Sequence, residues 1–261
     1  MSNKTSHIEM ENINDFFSFK NTVNHISDEE LKQTENYLAP IMAFARTTYK
    51  SIYIIDYQEK GFEYVSDNPL FLCGHTSEEV KEMGYAFYFK YVVKKDLDLL
   101  LKINEVGFEF YDKIPLRERT SYTITYDFHL KNQEGKTILI NQKLTPLYLT
   151  SDGKIWKAIC IVSLSAEQDS GNIKVYKQND NKVVRYNLEG DFWKTEERTE
   201  LTTREKEILR FSARGFTINE IAETIFVSPD TVKFHRKKLF EKLEVANIAE
   251  AISFATNNKL I

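Results

Sequence analysis

This chain predicts two folds in succession: an α+β domain built on an antiparallel sheet with helices gathered on one side, then an all-α domain of four short helices. Three observations lead there. Short β-rich runs in the first part of the chain come in neighbouring pairs joined by tight turns, as antiparallel strands require. Between the first pair and the last three runs lies a stretch with helical spacing. From residue 201 onward, the signal that opens a helix occurs four times.

With 261 residues, 42% of them hydrophobic, the chain suffices for two compact domains with separate cores. The opening "MSNKTSHIEMENIN" is polar, and no run approaches the length that crosses a bilayer. A soluble, cytoplasmic protein with no membrane partner is expected. Cys73 and Cys160 each sit in an apolar run outside any CxxC pair, as buried reduced thiols do. His7, His25, His75, His129 and His235 are isolated from one another, and no HExxH, Walker-type or GxGxxG pattern occurs. No metal site and no cofactor are therefore expected. Residues 1–170 hold no recognisable nucleophile and base arrangement, so the protein reads as not an enzyme. An enzymatic role for that part of the chain stays as an alternative, because such groups assemble in space. A formal net charge of −4 excludes a protein that coats nucleic acid with its whole surface. Any such contact must be local.

The elements follow in order. Residues 1–50 form an N-terminal helical extension, in which "SDEELKQTENYLAPIMAFARTTYK" opens at Ser27 with Glu30 three places on and breaks near Pro40. "SIYIIDY" and "GFEYVSD" are strands around a charged turn, and "SEEVKEM" and "KKDLDLLLKINEV" are helical. "YTITYDFHLK", "KTILINQKLTPLYLT" and "KIWKAICIVSLS" are strands, separated by turns at residues 132–135 and 151–153. This domain spans 51–165. Residues 166–200 divide into a hairpin, "IKVYKQNDNKVVRYNL", and a charged linker, "EGDFWKTEERTE". Phe87, Tyr88, Phe89 and Tyr91, with Phe108, Phe110 and Tyr111, either line a pocket or fill a solid core.

In residues 201–261 the helix starts are Thr202 with Glu205, Thr217 with Glu220, Ser228 before Pro229, and Asn247 with Glu250. Each first residue accepts a hydrogen bond from an otherwise unpaired backbone N–H, worth roughly 1 kcal/mol, and three carry the reciprocal Glu. Apolar residues recur at helical spacing: Ile208, Leu209 and Ala213, then Ile221, Ala222 and Ile225, then Val232, Leu239 and Leu243, then Ala251, Ile252 and Ala255. Only "FVS" separates the second and third helices, a helix-turn-helix outline. On the third helix Val232, Leu239 and Leu243 share one face, while Lys233, Phe234, Lys237 and Lys238 fall on the other. That places a basic surface where it can enter a major groove. Arg236 lies nearer the apolar stripe, its stem packing there while its head reaches a phosphate. His235 also borders that stripe, as a packed histidine or as a DNA ligand. Phe234 meets either a thymine methyl or sugar, or the N-terminal domain in a resting state.

The text "LTTREKEILRFSARGFTINEIAETIFVSPDTVKFHRKKLFEKLEV" with "NIAEAISFATNNKLI" resembles the LuxR-type helix-turn-helix domain, throughout residues 201–261. The resemblance implies that the "TVKxH" helix is the recognition helix and that the last helix pairs two subunits. Carried over by position, Lys233, Phe234 and Lys237 touch base edges, and Thr217, Asn219, Thr231, Arg236 and Lys238 touch phosphates. Ile248, Ile252 and Ala255 belong to the dimer helix. Glu244 stands where a Gly is usual, Ile248 where an Arg is frequent, and Lys259 where a Gly often precedes "LI".

Residues 51–165 resemble a PAS-type sensory domain, through the paired strands and following Asn of "YIIDYQEKGFEYVSDNPLFLCG" and the three strands of "LKNQEGKTILINQKLTPLYLTSDGKIWKAICIVSLS". A phosphorylated receiver domain, with Asp56 as its acidic residue, fits less well, since receivers alternate strand and helix around a parallel sheet. Cys73 in "FLCGHT" does not sit in the flavin-photoadduct motif, and His75 or His129 is the alternative as a haem ligand. Together the resemblances imply a bacterial transcription regulator: a homodimer on double-stranded DNA, sensing a small molecule or a protein, with RNA polymerase as a further partner. The alternatives are a sigma-factor-like, polymerase-interacting protein and a PAS-like domain that serves only for dimerisation or protein interaction.

Overall fold

The computed structural model describes residues 13–34, 36–258, 260 and 261. His7, the first twelve residues of the expected extension and Lys259 lie outside them. The chain divides into two compact units, Met1–Glu196 and Glu197–Ile261.

In the first unit, helices α1 (Asp28–Gln33) and α2 (Leu38–Ala45) precede strands β1 (Ser51–Asp56) and β2 (Gly61–Val65). Four helices follow, α3 (Pro69–Leu72), α4 (Ser77–Met83), α5 (Ala86–Tyr91) and α6 (Lys94–Asp112). Strands β3 (Tyr122–Lys131), β4 (Thr137–Leu149), β5 (Ile155–Leu164), β6 (Gly171–Lys177), β7 (Lys182–Asn187) and β8 (Phe192–Glu197) complete the unit. All eight strands form one sheet in the order β2-β1-β5-β4-β3-β6-β7-β8. The pairings from β2 through β7 all run antiparallel. This is the PAS-like arrangement, a strand pair, helices, then strands in consecutive hairpins. It excludes the parallel sheet of a receiver. Asp56 is occupied otherwise: its carboxylate caps the following turn, accepting from the Gln58 and Glu59 amides, and pairs with the buried ammonium of Lys157.

Local sequence explains several boundaries. Ser27 caps α1 through a reciprocal box with Glu30. The expected break near Pro40 lies earlier, after Gln33 and before Leu38. Pro40 sits in the first turn of α2, where a missing N–H leaves no hydrogen bond unmade. Asn68 precedes α3, but its side-chain amide donates to the Thr48 carbonyl rather than capping the helix.

Helices α3 to α6 cover one sheet face. Phe71, Phe87, Tyr88, Leu100, Ile103 and Val106 pack with Tyr53, Ile55, Phe128, Leu130, Ala158 and Val162 in a single core. The alternate residues Ile52 and Ile54 point the other way and are also buried. On that side Tyr37 meets Tyr148, which meets Trp156. Two polar clamps set α6 against the sheet. Near its start, Asp96 accepts from the backbone N–H and Nδ1 of His129 (2.7 and 2.8 Å) and from Ser170 Oγ (2.8 Å). Beyond its end, Arg119 donates to the Asp112 carbonyl, which the helix terminus leaves open, and to the carbonyls of Ile114 and Gly153.

The region expected as hairpin and linker, 166–200, differs from that expectation. The hairpin forms, with Lys174 opposite Arg185 and Tyr176 opposite Val183, but β6 also pairs with β3, so it extends the sheet rather than following it. "EGDFWKTEERTE" contains the edge strand β8, most of whose side chains are exposed. One side of such a strand faces water, so a charged composition is compatible with pairing.

The second unit contains α7 (Thr203–Ala213), α8 (Ile218–Thr224), α9 (Pro229–Leu243) and α10 (Ile248–Asn257). Two apolar clusters hold it, Ile208, Ile221, Ala222 and Val232 in one, and Leu201, Leu209, Leu239, Leu243, Ala251 and Ala255 in the other. Ala213, expected inside, is exposed at the end of α7. The reciprocal boxes form at Thr202/Glu205 and Thr217/Glu220. At Asn247 only half forms: Asn247 Oδ1 accepts from the Glu250 amide, while Glu250 reaches one residue further, to the Ala246 N–H.

Candidate nucleic-acid interface

The basic surface depends on the start of α9. Ser228 Oγ accepts from the Thr231 amide at 3.1 Å, and Pro229 begins the helix without losing a bond. Val232, Leu239 and Leu243 are buried, which turns the opposite side outward. Lys233, Phe234, Lys237 and Lys238 all lie on that exposed side. Lys233 is 2.9 Å from Asp230, Lys237 is 3.9 Å from Glu241, and both lysine side chains are largely in solvent. Such pairs are weak, so both cations are available to a stronger anion. Phe234, 53% exposed, lies under the Lys238 ammonium, 4.6 Å from its ring centre. Thr231 Oγ1 lies 2.9 Å from Ser228 Oγ. The Arg236 guanidinium lies over the Phe240 ring, and half-buried His235 contacts the Phe234 ring.

Thr217 and Asn219 are exposed at the start of α8, although the Thr217 hydroxyl is already engaged with Glu220. Of the residues expected on a dimer helix, Ile248 and Ile252 are half-buried against their own core. Ala255 is corrected: it is 0% exposed, in one cluster with Leu209, Leu239 and Leu243, so no partner can reach it.

Two features here lay beyond sequence reasoning. Lys242, a cation of the same helix, turns inward to Glu205 (2.8 Å) and the Glu200 carbonyl, tying α9 to α7. Burial alone would raise the Glu205 carboxyl. Lys242 and the Thr202 hydrogen bonds outweigh it and hold the group below its usual range. The other feature is Phe226, in the turn between α8 and α9, 94% exposed and with φ of 55°. A bulky residue seldom adopts that conformation.

The aromatic residues of the first unit separate. Phe87, Tyr88 and Tyr91 are in the solid core, and Phe89 packs on Phe16. Phe108, which belongs to the same core, helps with Phe110 and Tyr111 to line a cavity of about 60 Å³ between α6 and the sheet. His75 and His129 are both in hydrogen bonds, His75 with Tyr91, Glu79 and Gln133, and His129 with Asp96. Among the described residues no group of three or more His, Cys, Asp or Glu side chains is placed to hold a metal ion. No described helix is long and apolar enough to cross a membrane.

An exposed basic helix, fixed from behind by a buried stripe and preceded by a short turn and a second helix, defines the second unit as a helix-turn-helix domain of the DNA-binding class. Residues 199–255 match the family described as bacterial regulatory proteins, luxR family, so this segment is a LuxR-type domain. The CsgBAC operon transcriptional regulatory protein of Escherichia coli is 48% identical over 58 residues, 22% of this chain and 27% of that protein. The transcriptional regulatory protein YhcZ of Bacillus subtilis is 44% identical over 61 residues, 23% of this chain and 28% of that protein. This chain therefore spans little more than a quarter of such relatives. Among solved structures, the Vibrio cholerae VqmA dimer covers 85% of this chain and 88% of its own at 16% identity, with a TM-score of 0.34. A PAS domain from Colwellia psychrerythraea covers 52% of this chain and 96% of its own at 14% identity, with a TM-score of 0.36. Those two likenesses are too distant to bear on function.

Proposed function

We propose that this protein is a transcription regulator that binds a two-half-site operator as a homodimer, its sheet domain biasing DNA-competent geometry in response to a small molecule or a partner protein. The observation that carries the reading is α9, whose Lys233, Phe234 and Lys237 project together from the face opposite Val232 and Leu239. Those three side chains contact base edges, and Thr231, Arg236 and Lys238 contact phosphates, with Thr217 and Asn219 adding phosphate contacts from the start of α8. Ile248 and Ile252 of α10 supply apolar surface toward a second subunit. Pairing is needed because one such helix gives weak, salt-sensitive attraction, and two held at fixed spacing give specificity.

The test is titration of Lys237→Ala against an operator selected from random duplexes. Affinity for the operator is expected to fall by about 1–3 kcal/mol, roughly 5- to 150-fold, with little change on random DNA. Equal loss on both makes Lys237 a phosphate contact. Unaltered binding by the double variant Lys233→Ala, Lys237→Ala removes α9 from the groove altogether.

A further inference from the structure

The cavity beneath α6 carries more chemical information than its position. None of its lining residues is Asp, Glu, Lys, Arg or His. The polar side chains of the lining are Asn104 and the phenols of Tyr57, Tyr111, Tyr122 and Tyr126. The Tyr126 oxygen accepts from Gln142 Nε2 at 2.6 Å, which leaves the Tyr126 proton free to donate. The Tyr57 hydroxyl has no hydrogen-bond partner among the described residues. Burial pushes both phenols well above their usual range, so both keep their protons at neutral pH. Two unspent donors in an apolar, charge-free wall match an acceptor on an otherwise apolar molecule and offer an ion nothing to pair with.

Size adds a mechanical consequence. About 60 Å³ is less than half the roughly 150 Å³ that accommodates benzene in an apolar protein cavity, and the cavity is partly open, so a ring-sized occupant either extends through the open side or moves a wall. On the sheet side Tyr126, Pro146, Ile155 and Val175 are buried and Tyr122, Ile124 and Leu144 half-buried, all of them in strands held by the ladder. Phe110, near the end of α6, is only half-buried, and its ring lies against Trp193 of β8 at 4.9 Å, with Trp193 in turn 4.9 Å from Tyr186. Lys102 of α6 also pairs with Asp191, just before β8, at 2.9 Å. Helix α6 is thus coupled twice to the last strand of the sheet. Only residues 198–202 lie between that strand and α7.

We propose that this cavity takes a small, uncharged, largely apolar molecule whose acceptor atom bonds the Tyr57 and Tyr126 hydroxyls, and that its arrival is passed to β8 by Phe110 pressing on Trp193. The proposal rests on the regulatory reading above and names the ligand class and transmission route for it.

The experiment uses the full chain and four probes on one skeleton: benzyl alcohol, toluene, benzylammonium and benzoate, each followed by titration calorimetry. Benzyl alcohol is expected to bind saturably, and both ions at least tenfold more weakly. Tyr57→Phe with Tyr126→Phe should weaken benzyl alcohol about tenfold and leave toluene unchanged. In Trp156→Phe, where Trp193 is the remaining tryptophan, benzyl alcohol should shift the emission, and Phe110→Ala should abolish that shift without abolishing binding. No saturable binding of any probe by the unsubstituted chain, or ions binding as well as the alcohol, overturns the ligand class. Binding without a change in Trp193 emission overturns the route. Operator binding measured without probes is a separate readout, and its loss would instead overturn the regulatory reading.

Discussion

Asp127 shows how far a single residue's role depends on its surroundings. It lies on β3, its carboxylate accepting from Ser165 Oγ at 2.8 Å and Asn141 Nδ2 at 3.0 Å. Burial pushes its carboxyl up to about 6, against the pull of those hydrogen bonds. Since the folded-state value is raised above the unfolded one, the stabilisation is fully present below about 4 and is lost as pH rises through about 6. Asp127→Asn keeps one acceptor oxygen and removes the charge. It is expected to raise thermal stability at pH 7.5, by up to about 3 kcal/mol, and to give no gain at pH 4. Melting curves at the two pH values check this, and an equal gain at both would contradict it. At the same scale, Lys237 and Lys242 show what spacing can and cannot tell. Both are lysines of α9, yet one is in solvent and the other is held by Glu205, a partner far away in the chain.

Among the elements, the clearest local signal was capping. Thr202, Thr217 and Ser228 cap the helices their spacing announced, because a cap needs only residues three apart. Asn247 shows the limit of that rule, since the same spacing left Glu250 bonded to a different amide. Glu244, where the resemblance implies Gly, ends α9 in the left-handed region, with φ 56° and ψ 44°. A side chain there costs about 1 kcal/mol or more. Glu244→Gly is accordingly expected to stabilise the second unit by about 1 kcal/mol, read as a higher calorimetric melting temperature, and a lower one would contradict it. Two elements escaped pattern reading for opposite reasons. The aromatic run "YAFYFKYV" favours strands locally but forms α5, because Phe87, Tyr88 and Tyr91 are drawn into the core beside Phe71. β8 has too few buried side chains to show an alternating pattern, and its pairing with β7 defines it.

For the whole molecule, a net charge of −4 means that the proposed DNA attraction rests on one helix face, and its phosphate contacts are expected to make it strongly dependent on salt. The second unit's clusters draw only on residues 201–261, so a fragment beginning at Glu197 is expected to fold without the sheet domain. Circular dichroism should show a cooperative melt, although a unit this small is only marginally stable. A broad, non-cooperative melt would show that its core is incomplete. The sheet domain has no comparable division, because β6 joins β3 and carries the hairpin into the same sheet.

The sequence by itself determined what depends on neighbours within a turn or two: the helix starts of the second unit, the split of α9 into an apolar and a basic side, and the LuxR-type match that these support. Only the tertiary structure decided the end of the sheet domain, the burial of Ala255, the Lys242–Glu205 pair and the cavity under α6. Each of these joins residues distant along the chain, and local spacing carries no record of which distant groups will meet when apolar surface leaves water.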